Sequence, residues 1–132
     1  MVQDPLPKEE HLDLGLIYER DGKLDLAERE LLAALPLQMA VLGLGNVYFQ
    51  KGDYKQAERY YRRAISKSND PIALNNLAFL YVIEGRNLKE ASKLAERAVE
   101  EGIKRNLSDE EINNFKSTYN QAETALNRYK RE

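Results

Sequence analysis

The 132-residue sequence predicts an all-α fold, and three observations carry the prediction. A Leu-Gly-x-x-Tyr phrase stands at Leu14–Tyr18 and again at Leu44–Tyr48, with a looser copy at Leu77–Tyr81. Each copy is followed by a glycine and then an Ala-rich stretch of helical spacing. No segment alternates apolar and polar residues for long enough to read as a strand. The copies recur at a period near 30 residues: Gly15 to Gly45 is 30 and Gly45 to Ala78 is 33. Such a period marks supersecondary units that cannot bury a core alone and must stack.

The elements follow in order. Residues 1–8, with two prolines and no apolar periodicity, are expected to form a flexible lead-in. From Glu10 the pattern is helical, with Leu12, Leu14, Ile17 and Tyr18 as its stripe and Asp21-Gly22 as its stop. A second helix over about 24–35 carries Leu24, Ala27, Leu31, Ala34 and Leu35. Pro36 cannot continue it and fits the first turn of the next helix. There Val41, Leu44, Gly45 and Tyr48 line one face up to Lys51-Gly52-Asp53, and Ala57, Tyr60, Tyr61, Ala64 and Ile65 line the partner helix. Asp70-Pro71 reads as an N-cap followed by proline at the first helical position, opening a helix over 71–84. Gly85 ends that helix, Asn87 is placed to cap the next over 88–101, and Gly102 to close it. Ser108-Asp109-Glu110-Glu111 is a capping box, with Leu107 and Ile112 as its hydrophobic staple. Ile112, Phe115, Tyr119, Ala122, Leu126 and Tyr129 then continue as one stripe of a long last helix.

Over about residues 8–104 this pattern resembles the tetratricopeptide repeat, a helix–turn–helix unit of 34 residues. The resemblance implies three units at about 9–36, 37–70 and 71–104 in a right-handed superhelical stack, with 105–132 as a C-terminal capping helix. It implies that Gly15, Gly45 and Ala78 let the two helices of a unit approach, with Ala27, Ala57 and Ala91 as the small surface opposite. Tyr18, Tyr48 and Tyr81 would fill the space between units, and Ala34, Ala64 and Ala98 would meet the next one. His11, Val41 and Leu74 stand where the family has its bulky residue. The spacing is four residues short at Pro36 and one long at Gly85–Ala91. The Asn75–Ala78 phrase is similar to that of bacterial members, some of them regulatory or anchoring domains of larger enzymes or envelope lipoproteins.

Composition narrows the function. Twenty Lys+Arg against 22 Asp+Glu leave a net charge of -2, which argues against a nucleic-acid partner. With no cysteine there is neither a disulfide nor a thiolate metal site. No apolar run approaches the roughly 18 residues of a membrane span, and no signal peptide is evident. A soluble chain, cytoplasmic or periplasmic, is expected. His11, the lone histidine, lacks a patterned partner and reads as packing within the first hairpin. The serines lack a nucleophile elbow, and there is no glycine-rich phosphate loop. No enzymatic activity, metal or cofactor is expected. The cations Arg59, Arg62, Arg63, Lys67, Arg86, Lys89, Lys93, Arg97, Lys104 and Arg105 alternate with Glu58, Glu90, Glu96 and Glu100, as on a solvated outer face.

In the family, the first helix of each unit lines a concave groove. Carried over, the resemblance assigns it Leu12, Leu16 and Glu19 from the first unit. The second gives Met39, Leu42, Asn46, Phe49 and Gln50, and the third gives Ile72, Asn75, Asn76, Phe79 and Ile83. Large apolar residues beyond those the repeat needs for its own packing, dotted with amides, imply a groove for an apolar peptide or helix of a protein partner. Asn46, Asn75 and Asn76 would pair its backbone. Some members hold a terminal carboxylate in a Lys/Asn clamp. Asn46 and Asn76 match its asparagines, but its lysines and arginine are absent and Leu12 and Leu42 stand at lysine positions. Carboxylate-terminated chaperone tails are therefore disfavoured. The alternatives are a homo-oligomerising scaffold, in which the groove or last helix meets a second copy, an anchoring or regulatory domain of a larger enzyme or envelope lipoprotein, and occlusion of the groove by the chain's own last helix.

Overall fold

The structure, a computed structural model, describes residues 6–131. Residues 1–5 of the expected lead-in lie outside the described residues. The described residues form seven helices and no strand: α1 (Lys8–Arg20), α2 (Leu24–Ala33), α3 (Gln38–Gln50), α4 (Tyr54–Ser68), α5 (Pro71–Glu84), α6 (Leu88–Lys104) and α7 (Asp109–Arg131). The all-α expectation is met. Two compact units are present, Met1–Ala64 and Ile65–Glu132, with their boundary inside α4.

In the first unit, α1 and α2 form a hairpin against which α3 packs. Its core is Ala27, Leu31, Ala34, Ala40, Leu44 and Val47, ringed by half-buried Leu12, Leu16, Tyr18, Leu24 and Tyr48. Gly15 and Gly45 show why small residues were needed. A Cβ on Gly15 would fall 2.6 Å from Leu31 Cδ2, and one on Gly45 would fall 2.6 Å from the Tyr61 ring. Ala27 and Ala57 are buried as expected, yet the side chains that fill the glycine notches are Leu31 and Tyr61. Helix α1 starts at Lys8 rather than Glu10, because the Pro7 carbonyl accepts from both the Glu10 and His11 N–H groups. The Pro36 expectation needs correction. The Leu37 N–H closes a turn on the Ala34 carbonyl, and α3 begins only at Gln38, with Leu37 at its N-cap.

A polar cluster ties α2 to the end of α3. The Lys51 ammonium lies 2.6 Å from Asp25 and 2.7 Å from Glu28, while the Tyr48 hydroxyl donates to Glu28 at 3.1 Å and its ring stacks on Tyr60. Burial, then the Glu28 charge, pushes the Tyr48 phenol up to about 12.

In the second unit, α5, α6 and α7 pack on one another. Asp70 caps α5 as expected, its Oδ1 accepting from Ile72 N–H at 2.9 Å, with Pro71 in the first position. Gly85, at φ 67°, ends α5. Two cap assignments change. Asn87 holds the N-cap position of α6 in the left-handed region but makes no side-chain cap bond. Gly102 does not close α6. It lies buried within the helix, where a Cβ would meet the Phe115 ring at 3.2 Å, and left-handed Asn106 follows the helix end. Ser108 Oγ accepts from the Glu111 N–H, one half of the predicted capping box. Arg97 donates to Asn69 Oδ1 at 2.5 Å, and Arg105 donates to the carbonyls of Ser68 and Asn69. Helix α7 turns Phe115, Thr118 and Ala122 inward and exposes Asn113, Lys116, Asn120 and Asn127. Its stripe outruns its packing, and Tyr129 at the far end is 71% exposed.

Two outcomes are expected. Gly45→Ala should lower stability by about 1–2 kcal/mol, because overpacking against a buried ring outweighs the helix-propensity gain of up to about 1 kcal/mol. Gly15→Ala should lose less, since the end of a leucine yields more readily than a hydroxyl-anchored ring. Thermal unfolding followed by circular dichroism checks both, and an unchanged or raised Tm for Gly45→Ala contradicts the packing account.

The second outcome concerns pH. The Lys51 hydrogen bond holds the Asp25 carboxyl below its usual range. That stabilisation is present above the ordinary carboxylate pKa of about 4 and is lost as pH falls through the lowered folded value. Bonds to Asp25 and Glu28 raise the Lys51 pKa, so its share is present below about 10.4 and is lost as pH rises through the folded value. Lys51→Met should therefore lower the urea midpoint at neutral pH and flatten its decline in acid. An identical acid limb in the variant argues against the cluster's contribution.

Candidate partner-binding face

The residues assigned to the groove behave differently in the structure. In the first unit, Leu12 and Leu16 are half-buried against the core of the hairpin itself. Their apolar surface serves the unit's own packing first. Glu19 is half-buried, and burial raises its carboxyl pKa above the usual range. On α3, Leu42 and Asn46 are half-buried, Gln50 is exposed, and Met39 is 56% exposed. Phe49 is half-buried, with its ring tilted against Tyr54 at a centroid distance of 5.3 Å.

Asn46 has a structural duty that sequence reasoning missed. The Tyr61 hydroxyl donates to its Oδ1 at 2.7 Å, beside the glycine notch that the same ring fills. A polar residue one position after a helix-packing glycine, with a tyrosine on the following helix, was the available signal.

In the second unit, α5 carries the clearest exposed surface. Ile72, Asn76, Phe79 and Ile83 recur four, three and four residues apart, which places them on one face of the helix. Ile72 is 38% exposed, Phe79 37% and Ile83 47%. The opposite face, with Leu74, Leu77, Ala78 and Tyr81, is fully buried. Beside the stripe, the Asn75 Oδ1 is buried without a hydrogen-bond partner among the described residues. Leaving such a group unpaired costs about 1–3 kcal/mol.

Sequence reasoning overlooked the part α7 plays here. Val82, three residues after Phe79, opens a shallow cleft of about 430 Å³ whose far wall is Ser117, Asn120, Gln121, Thr124 and Arg128. Those hydroxyls and amides lie off the apolar stripe by which α7 was recognised, so periodicity alone did not single them out.

Several of the outer cations are engaged within the chain. Arg62 pairs with Glu58 one turn away, Arg86 lies 3.0 Å from Glu84 and over the Tyr81 ring, and Arg105 meets Glu101. His11 is buried, its Nδ1 2.6 Å from Glu30 Oε2, within the first hairpin. Among the described residues, no group of three His, Cys, Asp or Glu is placed to hold a metal ion, and no helix is long and apolar enough to cross a membrane.

Residues 40–68, from the first turn of α3 to the end of α4, match the family model of the tetratricopeptide repeat. The chain carries a tetratricopeptide repeat. Such repeats are in general non-catalytic modules of protein–protein interaction, so a protein partner is the class of ligand indicated. The matched segment contains Gly45 and Tyr61, the notch and its filling, together with Tyr48, Ala57 and Ala64. No curated protein matches the chain.

The Asn46–Tyr61 bond gives a direct test. Asn46→Ala strips a buried hydroxyl of its 2.7 Å acceptor and should cost about 1–3 kcal/mol. In a Tyr61→Phe background the same change should cost clearly less, giving a coupling of about 0.5–2 kcal/mol in a double-mutant cycle by urea denaturation. Additive losses would assign Asn46 no such duty.

Proposed function

We propose that the chain is a non-catalytic interaction module whose leading helices hold an apolar segment of a protein partner. The stripe on α5 carries this reading. A helix apolar nearly all round is ordinarily buried all round, yet α5 keeps Ile72, Phe79 and Ile83 in water along one line. Covering each would contribute on the order of 1 kcal/mol. On α3, Met39, Leu42 and Phe49 offer apolar surface of their own.

The roles divide by what each side chain already does. Ile72, Phe79 and Ile83 receive apolar side chains. Asn75 and Asn76 address the partner's backbone. Leu12, Leu16 and Asn46 shape the face from within, since packing or a hydrogen bond claims them first. Gln50, exposed at the end of α3, offers a further amide. The absence of a lysine or arginine from these positions leaves a terminal carboxylate poorly served.

Panning a random peptide library against the protein tests the reading. The enriched sequences should be apolar without a required C-terminus. Phe79→Asp should weaken their binding about tenfold or more, equivalent to roughly 1.4 kcal/mol. Equal affinity for the variant with unchanged helicity would remove the α5 face from consideration.

A further inference from the structure

The α5 face has a neighbour within its own unit, and the two differ in chemistry. Helices α5 and α7 pack together, and α5 carries no charged residue from Pro71 to Ile83. The cleft of about 430 Å³ beside Val82 turns polar on its α7 side. It holds the hydroxyls of Ser117 and Thr124, the amides of Asn120 and Gln121, and then the guanidinium of Arg128. All five side chains are exposed. Their spacing keeps them on one side of α7, over about 16 Å of its length.

That wall suits an extended chain. Its hydroxyls and amides both donate and accept, and an extended backbone presents N–H and C=O groups to match. A helical segment satisfies those groups internally and would offer the wall only side chains. About five residues of extended chain, at about 3.3 Å each, span the distance from Ser117 to Arg128.

The surrounding charges leave one cation open. Arg128 is the one charged side chain that lines the cleft among the described residues, and none of their carboxylates pairs with it. The carboxylates nearest in sequence are engaged: Glu84 meets Arg86 at 3.0 Å, and Glu123 accepts from the Tyr119 hydroxyl at 3.1 Å. Asp109, Glu110 and Glu111 stand in the first turn of α7, about 25 Å or more along the helix from Arg128. Asp70 caps the opposite end of α5 from Val82. Lys116 lines a different cleft with Glu96 and Glu100, and Arg86 and Lys89 line another with Tyr129. Lys130 lies roughly 160° round the helix from Arg128.

We propose that this cleft reads an extended segment of the protein partner that carries an acidic side chain beside its apolar ones. The apolar side chains lie on Phe79 and Ile83, the backbone pairs with the amides and hydroxyls of α7, and an internal Asp or Glu meets Arg128. The inference rests on the reading of α5 as the partner-binding face and adds the conformation and charge of what binds there.

Panning a random peptide library on the wild-type chain and on Arg128→Glu tests the proposal. The wild type should enrich apolar sequences with an Asp or Glu at a fixed distance from the apolar anchor. Arg128→Glu should replace that acid with Lys or Arg and keep the anchor. A synthetic peptide selected by the wild type should bind Arg128→Gln about two- to fivefold more weakly, and amidating its C-terminus should change nothing. Methylating its backbone nitrogens one at a time should weaken binding at alternate residues, as an extended chain requires. Apolar sequences with no fixed acid, or the same acid selected by both proteins, overturn this inference and leave the α5 reading standing. Peptides that gain α-helical circular dichroism on binding overturn it as well. So does a chain that sediments at twice 15.2 kDa until Arg128→Glu dissolves the pair, since the cleft then belongs to a second copy. A library that yields no apolar sequence removes the α5 reading and this inference with it.

Discussion

The structure of the matched repeat depends on a close approach of α3 and α4 that only a missing side chain permits. Gly45 leaves a notch, the Tyr61 ring fills it, and the Asn46 amide pins the ring by its hydroxyl. These elements are mutually dependent. Without the notch the ring has no place to lie, and without the ring the notch is a cavity. Without the amide a buried hydroxyl loses its acceptor. Packing of this kind fixes the helix separation to within a few tenths of an ångström, because interiors tolerate neither voids nor overlap. The first hairpin uses the same device in a softer form, with Leu31 filling the notch of Gly15.

Most of the fold was legible because helical periodicity, small residues and turn signals agreed. The stripe of α5, the Asp70-Pro71 start and the Gly85 stop each fell where the residues indicated. Where the reading failed, a tertiary contact outweighed a local signal. Gly102 looked like a helix stop, yet Phe115 packs over it and the helix runs on to Lys104. Pro36 was expected in the first turn of the next helix, yet the turn that contains it precedes α3, which begins at Gln38. Asn87 was placed to cap, and its backbone takes the position without its side chain bonding.

The proposed binding face was legible only in part, for a related reason. The resemblance placed Ile72, Asn76, Phe79 and Ile83 on one side of α5, where Ile72, Phe79 and Ile83 are exposed. Spacing says nothing of what a side chain already does, so Asn46 looked no different from Asn76 although Tyr61 bonds to it. The α7 amides around Asn120 and Thr124 escaped because they belong to no apolar period. The trailing helices α4 and α6 carry dense charge, with Arg62 paired to Glu58 on one and Lys104 to Glu101 on the other.

Asn69 shows how a connection acquires a second task. It sits in the left-handed region at φ 51°, a conformation glycine would adopt more easily. Its side chain, however, receives the Arg97 guanidinium, and its carbonyl and that of Ser68 receive Arg105. The residue that reverses the chain after α4 is also the mooring for both ends of the last turns of α6. At Gly22 and Gly52 a side chain would meet open space. Sequence drift is therefore constrained unequally at these bends: the glycine turns answer only to backbone shape, whereas position 69 must keep an amide as well.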